Sequence, residues 1–90
     1  MKFSDLSFSK MYGIGGSQDL WDYALHIFSN NHGVSIIRGN TTVGGPELYE
    51  VNIIHNNRIL DNPRQVVPDW KHGNYTEKEI ESLMKIVESY

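Results

Sequence analysis

The sequence predicts a small α+β domain, a four-stranded antiparallel meander with a C-terminal helix packed on one face. Three observations carry this expectation. Apolar residues recur at three- and four-residue steps near the C-terminal end, residues in the middle alternate with a period of two, and the connections between the β-rich runs are short. Ninety residues give one core, so residues 1–90 form a single domain.

The helix is the clearest element. Thr76 precedes an acidic turn and Glu79 follows three residues later, the reciprocal pattern of a capping box. Tyr75 and Ile80 stand at hydrophobic-staple spacing, and Ile80, Leu83, Met84, Val87 and Tyr90 then line one stripe. Glu77, Lys78, Glu81, Lys85 and Glu88 fall mainly off the stripe and form a solvated face.

The strands follow from alternation and turn chemistry. Tyr49, Val51 and Ile53 alternate with Glu50 and Asn52, which reads as a half-buried strand over residues 49–54. Residues 34–38 are rich in β-branched side chains between Gly33 and Gly39, and Asn56-Asn57 suits a tight turn into a short strand over residues 58–60. Residues 20–28 fit either a strand or a helix by periodicity alone. The short connection over residues 29–33 decides for a strand closing a hairpin with residues 34–38. The expected register pairs Leu25 with Ile37 and Ile37 with Tyr49. It places Trp21, Tyr23, Leu25, Ile27, Ile37, Tyr49, Val51 and Ile53, with Ser35 among them, under the helix. The opposite, solvated face carries Asp22, His26, Arg38, Glu50 and Asn52. Residues 1–16 have no period and read as a mobile arm or an extra strand.

Composition narrows the function classes. The chain is 39% hydrophobic and 21% charged, enough apolar material for a packed core. Eight basic against eleven acidic residues give a net charge of −3, which makes nucleic acid an unlikely partner. With no cysteine there is neither a disulfide nor a thiolate metal site, and no apolar run is long enough to cross a bilayer, so a soluble cytoplasmic protein is expected. Four histidines lack metal-ligand spacing, and the glycine-rich residues 13–16 lack the lysine and the strand-loop-helix context of a phosphate loop. No cofactor or metal is expected. Asp22, His26, Arg38 and Glu50 could make an acid, a base and an anion binder, but arginine among carboxylates on a sheet is ordinarily a cross-strand ion pair. The protein is therefore expected not to be an enzyme.

The long connection over residues 39–46 is the best contact surface, since ordered loops longer than a tight turn are disproportionately functional. The candidate binding residues are Arg38, Gly39, Thr41, Thr42, Gly44, Gly45, Glu50 and Trp70. Trp70, in a loop bounded by proline and glycine, either plugs the helix-sheet junction or is offered to a partner.

The ordered string Ser35-Ile36-Ile37-Arg38-Gly39, Gly44-Gly45, Leu48-Tyr49-Glu50-Val51, Pro68-Asp69 and Tyr75-Thr76-Glu77 resembles a pattern found in small uncharacterised accessory proteins of tailed bacteriophages. The resemblance covers residues 21–90. It implies an accessory protein made early in infection, acting in the host cell cytoplasm, with no catalytic residues to carry over. The expected activity is binding to a host protein, such as a bacterial defence component, which is inhibited or redirected. An oligomer that sequesters a nucleotide-like ligand through Arg38, and a virion or assembly component, are the alternative expectations. Unprotected edge strands add the expectation of a homodimer.

Overall fold

The computed structural model describes residues 1–13, 16 and 19–90, and the sheet it contains has five strands in the order β1-β2-β3-β4-β5, every neighbouring pair antiparallel. They are β1 (Ser9–Tyr12), β2 (Leu20–Ile27), β3 (His32–Arg38), β4 (Glu50–His55) and β5 (Arg58–Ile59), followed by one helix, α1 (Glu77–Ser89). The class, the meander order and the position of the helix are as the sequence predicts. The strand count is corrected from four to five.

The added strand lies in the N-terminal segment. β1 has only four residues, all exposed, so it buries no stripe that a periodic pattern could reveal. Ahead of it a 3-10 turn at Phe3–Asp5 brings the chain under the helix, where Met1, Phe3, Leu6 and Phe8 pack against the core. The Phe3 amide donates to Glu81 Oε1 at 2.7 Å and ties this segment to α1. The segment is a core-closing element joined to an edge strand. The glycine-rich stretch noted above falls partly on Ile14 and Gly15, outside the described residues.

Turn chemistry places the hairpins where expected. Asn56 and Asn57 take φ of 51° and 65°, the left-handed pair that a two-residue turn between right-twisted strands requires. Asn31 at φ 63° closes the β2-β3 turn, and the Phe28 amide donates to the His32 carbonyl at 2.8 Å. The helix begins as its cap predicts: the Glu79 amide donates to Thr76 Oγ1 at 3.2 Å, and the Thr76 amide to Glu79 Oε1 at 2.9 Å. Ile80, Leu83, Met84 and Val87 are buried, whereas Tyr90 at the end of the expected stripe is exposed.

The register differs in a way that decides which face is the core. Tyr23, rather than Leu25, pairs with Ile37, because the turn centres one residue earlier; a two-residue slide keeps every side chain on its expected side of this hairpin. Ile37 pairs with Glu50 instead of Tyr49, a slip of one residue, and that inverts β2 and β3 relative to β4. The core therefore takes Ala24, Val34, Ile36, Val51 and Ile53 beneath α1. Trp21, Tyr23, Leu25, Ile27, Ser35 and Ile37 lie on the opposite face. The reason is chemical. In this register the cross-strand row Ala24-Ile36-Val51 is wholly apolar, whereas the rows of the other face carry Ser35 opposite Asn52 and Ile37 opposite Glu50. Placing those groups under the helix would bury polar atoms that have no partner there.

Candidate functional site

The loop between β3 and β4 stands at one pole of the sheet, together with Gly13 and Asp19 at the facing ends of β1 and β2 and the 70–75 segment. It is built outward from an ion pair. Asp22 and Arg38 face one another in register, and Arg38 Nη2 lies 3.1 Å from Asp22 Oδ2, with Lys10 Nζ on the other carboxylate oxygen. Hydrogen bonding from Lys10, then from Arg38, holds the Asp22 carboxyl below the usual carboxylate range, against the opposing effect of burial. The Arg38 guanidinium also lies 4.6 Å from the centre of the Tyr49 ring. Tyr49 packs edge-on against Phe3 at 5.3 Å, and burial raises the pKa of its phenol. Arg38 is thus an anchor at the core's margin, turned toward Asp22 and Tyr49.

From Arg38 the chain enters a knot of local hydrogen bonds. Thr42 Oγ1 accepts from the Gly39 amide and donates to the Gly39 carbonyl, both at 2.9 Å. The Gly45 amide donates to the Thr42 carbonyl at 3.1 Å, and the Leu48 amide to the Gly44 carbonyl at 2.9 Å. A side chain at Gly45 would fall on the Gly39 carbonyl oxygen, so the knot closes only with glycine there. Gly44 has φ of 94° and lies against the Asn74 backbone, a second position that excludes a side chain.

Three ties hold the knot to the domain. Thr41 Oγ1 accepts from the Trp21 indole at 2.9 Å and donates to Asp19 Oδ2. The Val43 amide donates to Glu50 Oε1 at 2.9 Å, and Glu50 Oε2 lies 3.5 Å from His72 Nε2. The Asn74 amide reaches the Val43 carbonyl at 3.4 Å. Trp70 plugs the junction: half-buried against the core, it donates its indole N–H to the Val51 carbonyl at 3.0 Å.

Of the predicted binding residues, Arg38, Gly39, Thr41, Thr42, Gly44, Gly45 and Glu50 are brought together at this pole, and Trp70 packs beneath it. Most of their polar atoms are engaged in holding the loop, and the apolar side chains that the loop presents outward are Val43 and Pro46. Asp22, His26, Arg38 and Glu50 are not one cluster. Asp22 and Arg38 belong to the helix side of the sheet, while Glu50 sits across it with His72. His32 stacks on His55 at 4.2 Å at the opposite pole, and among the described residues no group of three or more His, Asp or Glu side chains could hold a metal. Among the described residues no helix is long and apolar enough to cross a membrane.

Sequence reading placed Val43 in this loop but did not include Asp19, Trp21 and Asn74 in the site. Only the positive φ of Asn74, a residue type that tolerates that conformation, left a local trace. The others join through contacts made across the sheet. The surface among the described residues also carries an open groove of about 450 Å³ beside the start of α1, between Lys71, Tyr75, Glu79 and Leu83, and one of about 280 Å³ on the sheet face away from the helix. No family model, characterised protein or solved structure matches the chain. The class that the molecule itself defines is a five-stranded meander with one covering helix and a braced loop at one pole.

Proposed function

We propose that the protein is a non-enzymatic accessory protein of a tailed bacteriophage that binds a host protein in the host cell cytoplasm and inhibits or redirects it. The contact surface is the braced loop over residues 39–46, with Val43 at its centre. One observation carries the reading. A connection without regular structure is fixed in a single shape by its own hydrogen bonds and by ties to three neighbouring segments, while it presents Val43 to solvent. A loop ordered in this way loses little conformational entropy on binding, which favours affinity for a protein surface. A bacterial defence component is the partner class that the sequence resemblance favours.

The test is affinity capture from bacterial lysate at several salt concentrations, with the wild-type protein beside Val43→Glu. The reading expects one host protein retained by the wild type and lost with V43E. Failure to retain a protein at any salt would remove it, and recovery of the chain from purified virions would replace it with a structural role.

A further inference from the structure

The sheet face turned away from α1 has no covering element among the described residues, although it carries large apolar side chains. Leu25 is 51% exposed, Ile59 62% and Met11 38%, and around them lie Tyr23, Ile27 and Ile37. We infer that this face is covered by the same face of a second copy of the chain, giving a two-fold symmetric dimer with the two sheets stacked. The inference does not depend on the loop reading, because the loop lies at the pole of the sheet and stays accessible in each copy.

Size is the first argument. The five strands run four, eight, seven, six and two residues; at ~3.3 Å per residue and a strand repeat of ~4.8 Å the face spans roughly 430 Å² in projection. That falls within the range of the largest apolar patch on a typical monomer, about 300–600 Å², with Ser35, Asn52 and Glu50 as its polar members. With the relief of side chains standing out from the sheet it approaches the ~800 Å² that each partner contributes to a stable interface.

Shape and charge select the copy over another occupant. The groove of about 280 Å³ runs between Leu25, Ile27 and Tyr23 on one side and Ile54 and Ile59 on the other. Leu25 stands at its rim, so a two-fold axis can set Leu25 of each copy into the groove of the other. The polar groups near the centre, Ser35 and Asn52, are neutral, stand opposite one another in register, and both donate and accept. They can therefore pair across a two-fold axis. The acidic side chains of α1, Glu77, Glu79, Glu81 and Glu88, lie behind the sheet. With stacked sheets ~10 Å apart and a helix ~10 Å thick behind each, the two acidic surfaces stand roughly 30 Å apart, well beyond a screening length of about 8 Å. The carboxylate on this face, Glu50, is held at the pole by the Val43 amide and faces His72, so a negatively charged chain meets its own copy here with little repulsion.

Sedimentation velocity over micromolar to sub-millimolar concentrations tests the inference, using wild type, Leu25→Lys, Ile59→Lys and, as a control, Ile86→Lys. Ile86 is comparably exposed but lies on the helix. The expected result is a wild-type and I86K mass of twice 10.3 kDa. Dimer affinity should weaken by at least about tenfold in L25K and I59K, with helix and strand circular dichroism unchanged. A wild type that stays monomeric over the whole range overturns the inference. So does a dimer that survives both L25K and I59K, which would pair through a strand edge. Capture of the host protein by monomeric L25K separates the two proposals, since the loop reading predicts that it persists whatever the oligomeric state.

Discussion

Ile36 and Ile37 are neighbours of identical chemistry that the structure assigns to opposite faces, and truncating each in turn measures that assignment. Ile36 is fully buried between Ala24 and Val51 beneath the helix, whereas Ile37 is half-buried on the uncovered face. Ile36→Ala removes about three methylene equivalents at ~0.8 kcal/mol each, and the unfilled cavity adds to this, for a loss of roughly 3–4 kcal/mol. Ile37→Ala leaves no enclosed cavity and should cost about 1 kcal/mol. A chain of ninety residues has a total stability of only about 5–13 kcal/mol, so the larger loss is a sizeable fraction of the whole. The assay is urea unfolding followed by circular dichroism, with both variants made in the L25K background so that the sheet face stays open. With an m-value of about 1–2 kcal/mol/M, the two midpoints should differ by roughly 1–3 M urea. Equal losses, or a greater loss for Ile37→Ala, would refute the register on which the core assignment rests.

Four further outcomes follow from the same geometry. Thr42→Val removes a buried hydroxyl that both donates and accepts within the loop; it should cost about 1–3 kcal/mol and reduce capture of the host protein, read by thermal melt and pull-down together. Thr76→Ala breaks the capping box and should cost about 1 kcal/mol, measurable as a lower melting temperature with unchanged strand signal. Trp70→Phe keeps an aromatic ring but loses part of the indole's packing against the core together with its bond to the Val51 carbonyl, and about 1–3 kcal/mol of stability should go with it. Asp22 and Glu79 are both held below the usual carboxylate range, Asp22 chiefly by hydrogen bonding from Lys10 and Glu79 chiefly by the Thr76 amide. Their contribution is therefore complete above the ordinary carboxylate pKa and is lost as pH falls through the lowered folded values. Melting temperatures recorded down an acid series should decline over that window, and more shallowly in Asp22→Asn.

Local chemistry made much of the fold legible. Thr76 and Glu79 announce the helix start, and Asn56-Asn57 the last hairpin, because these side chains act on backbone within three residues of themselves. β1 was illegible for the opposite reason, since an edge strand with four exposed residues has no burial pattern to imprint. The choice of face failed at a single point. The β3-β4 connection is long enough that its internal hydrogen bonds, from Thr42 to Gly39 and from Leu48 to Gly44, set the register, and no alternation within the strands reports them. The same loop was recognisable as a contact surface by its length and glycines. Its braces from Asp19 and Trp21 arrive across some twenty residues of chain, beyond any local pattern. The cross-strand ion pair of Asp22 and Arg38 was readable as a type of contact, although its partner Lys10 comes from β1, in the segment read as either a mobile arm or an extra strand.

The most direct test of the account is which sheet residues lie beneath the helix, because the core, the uncovered face and the dimer all depend on it. Nuclear Overhauser contacts from the methyl group of Met84, buried at the centre of the α1 stripe, report this in solution. The account predicts contacts to Val34, Ile36, Val51 or Ile53 and none to Leu25, Ile27 or Ile37. Contacts from Met84 to Leu25 or Ile37 would contradict it, and would place under the helix the face that the structure leaves open.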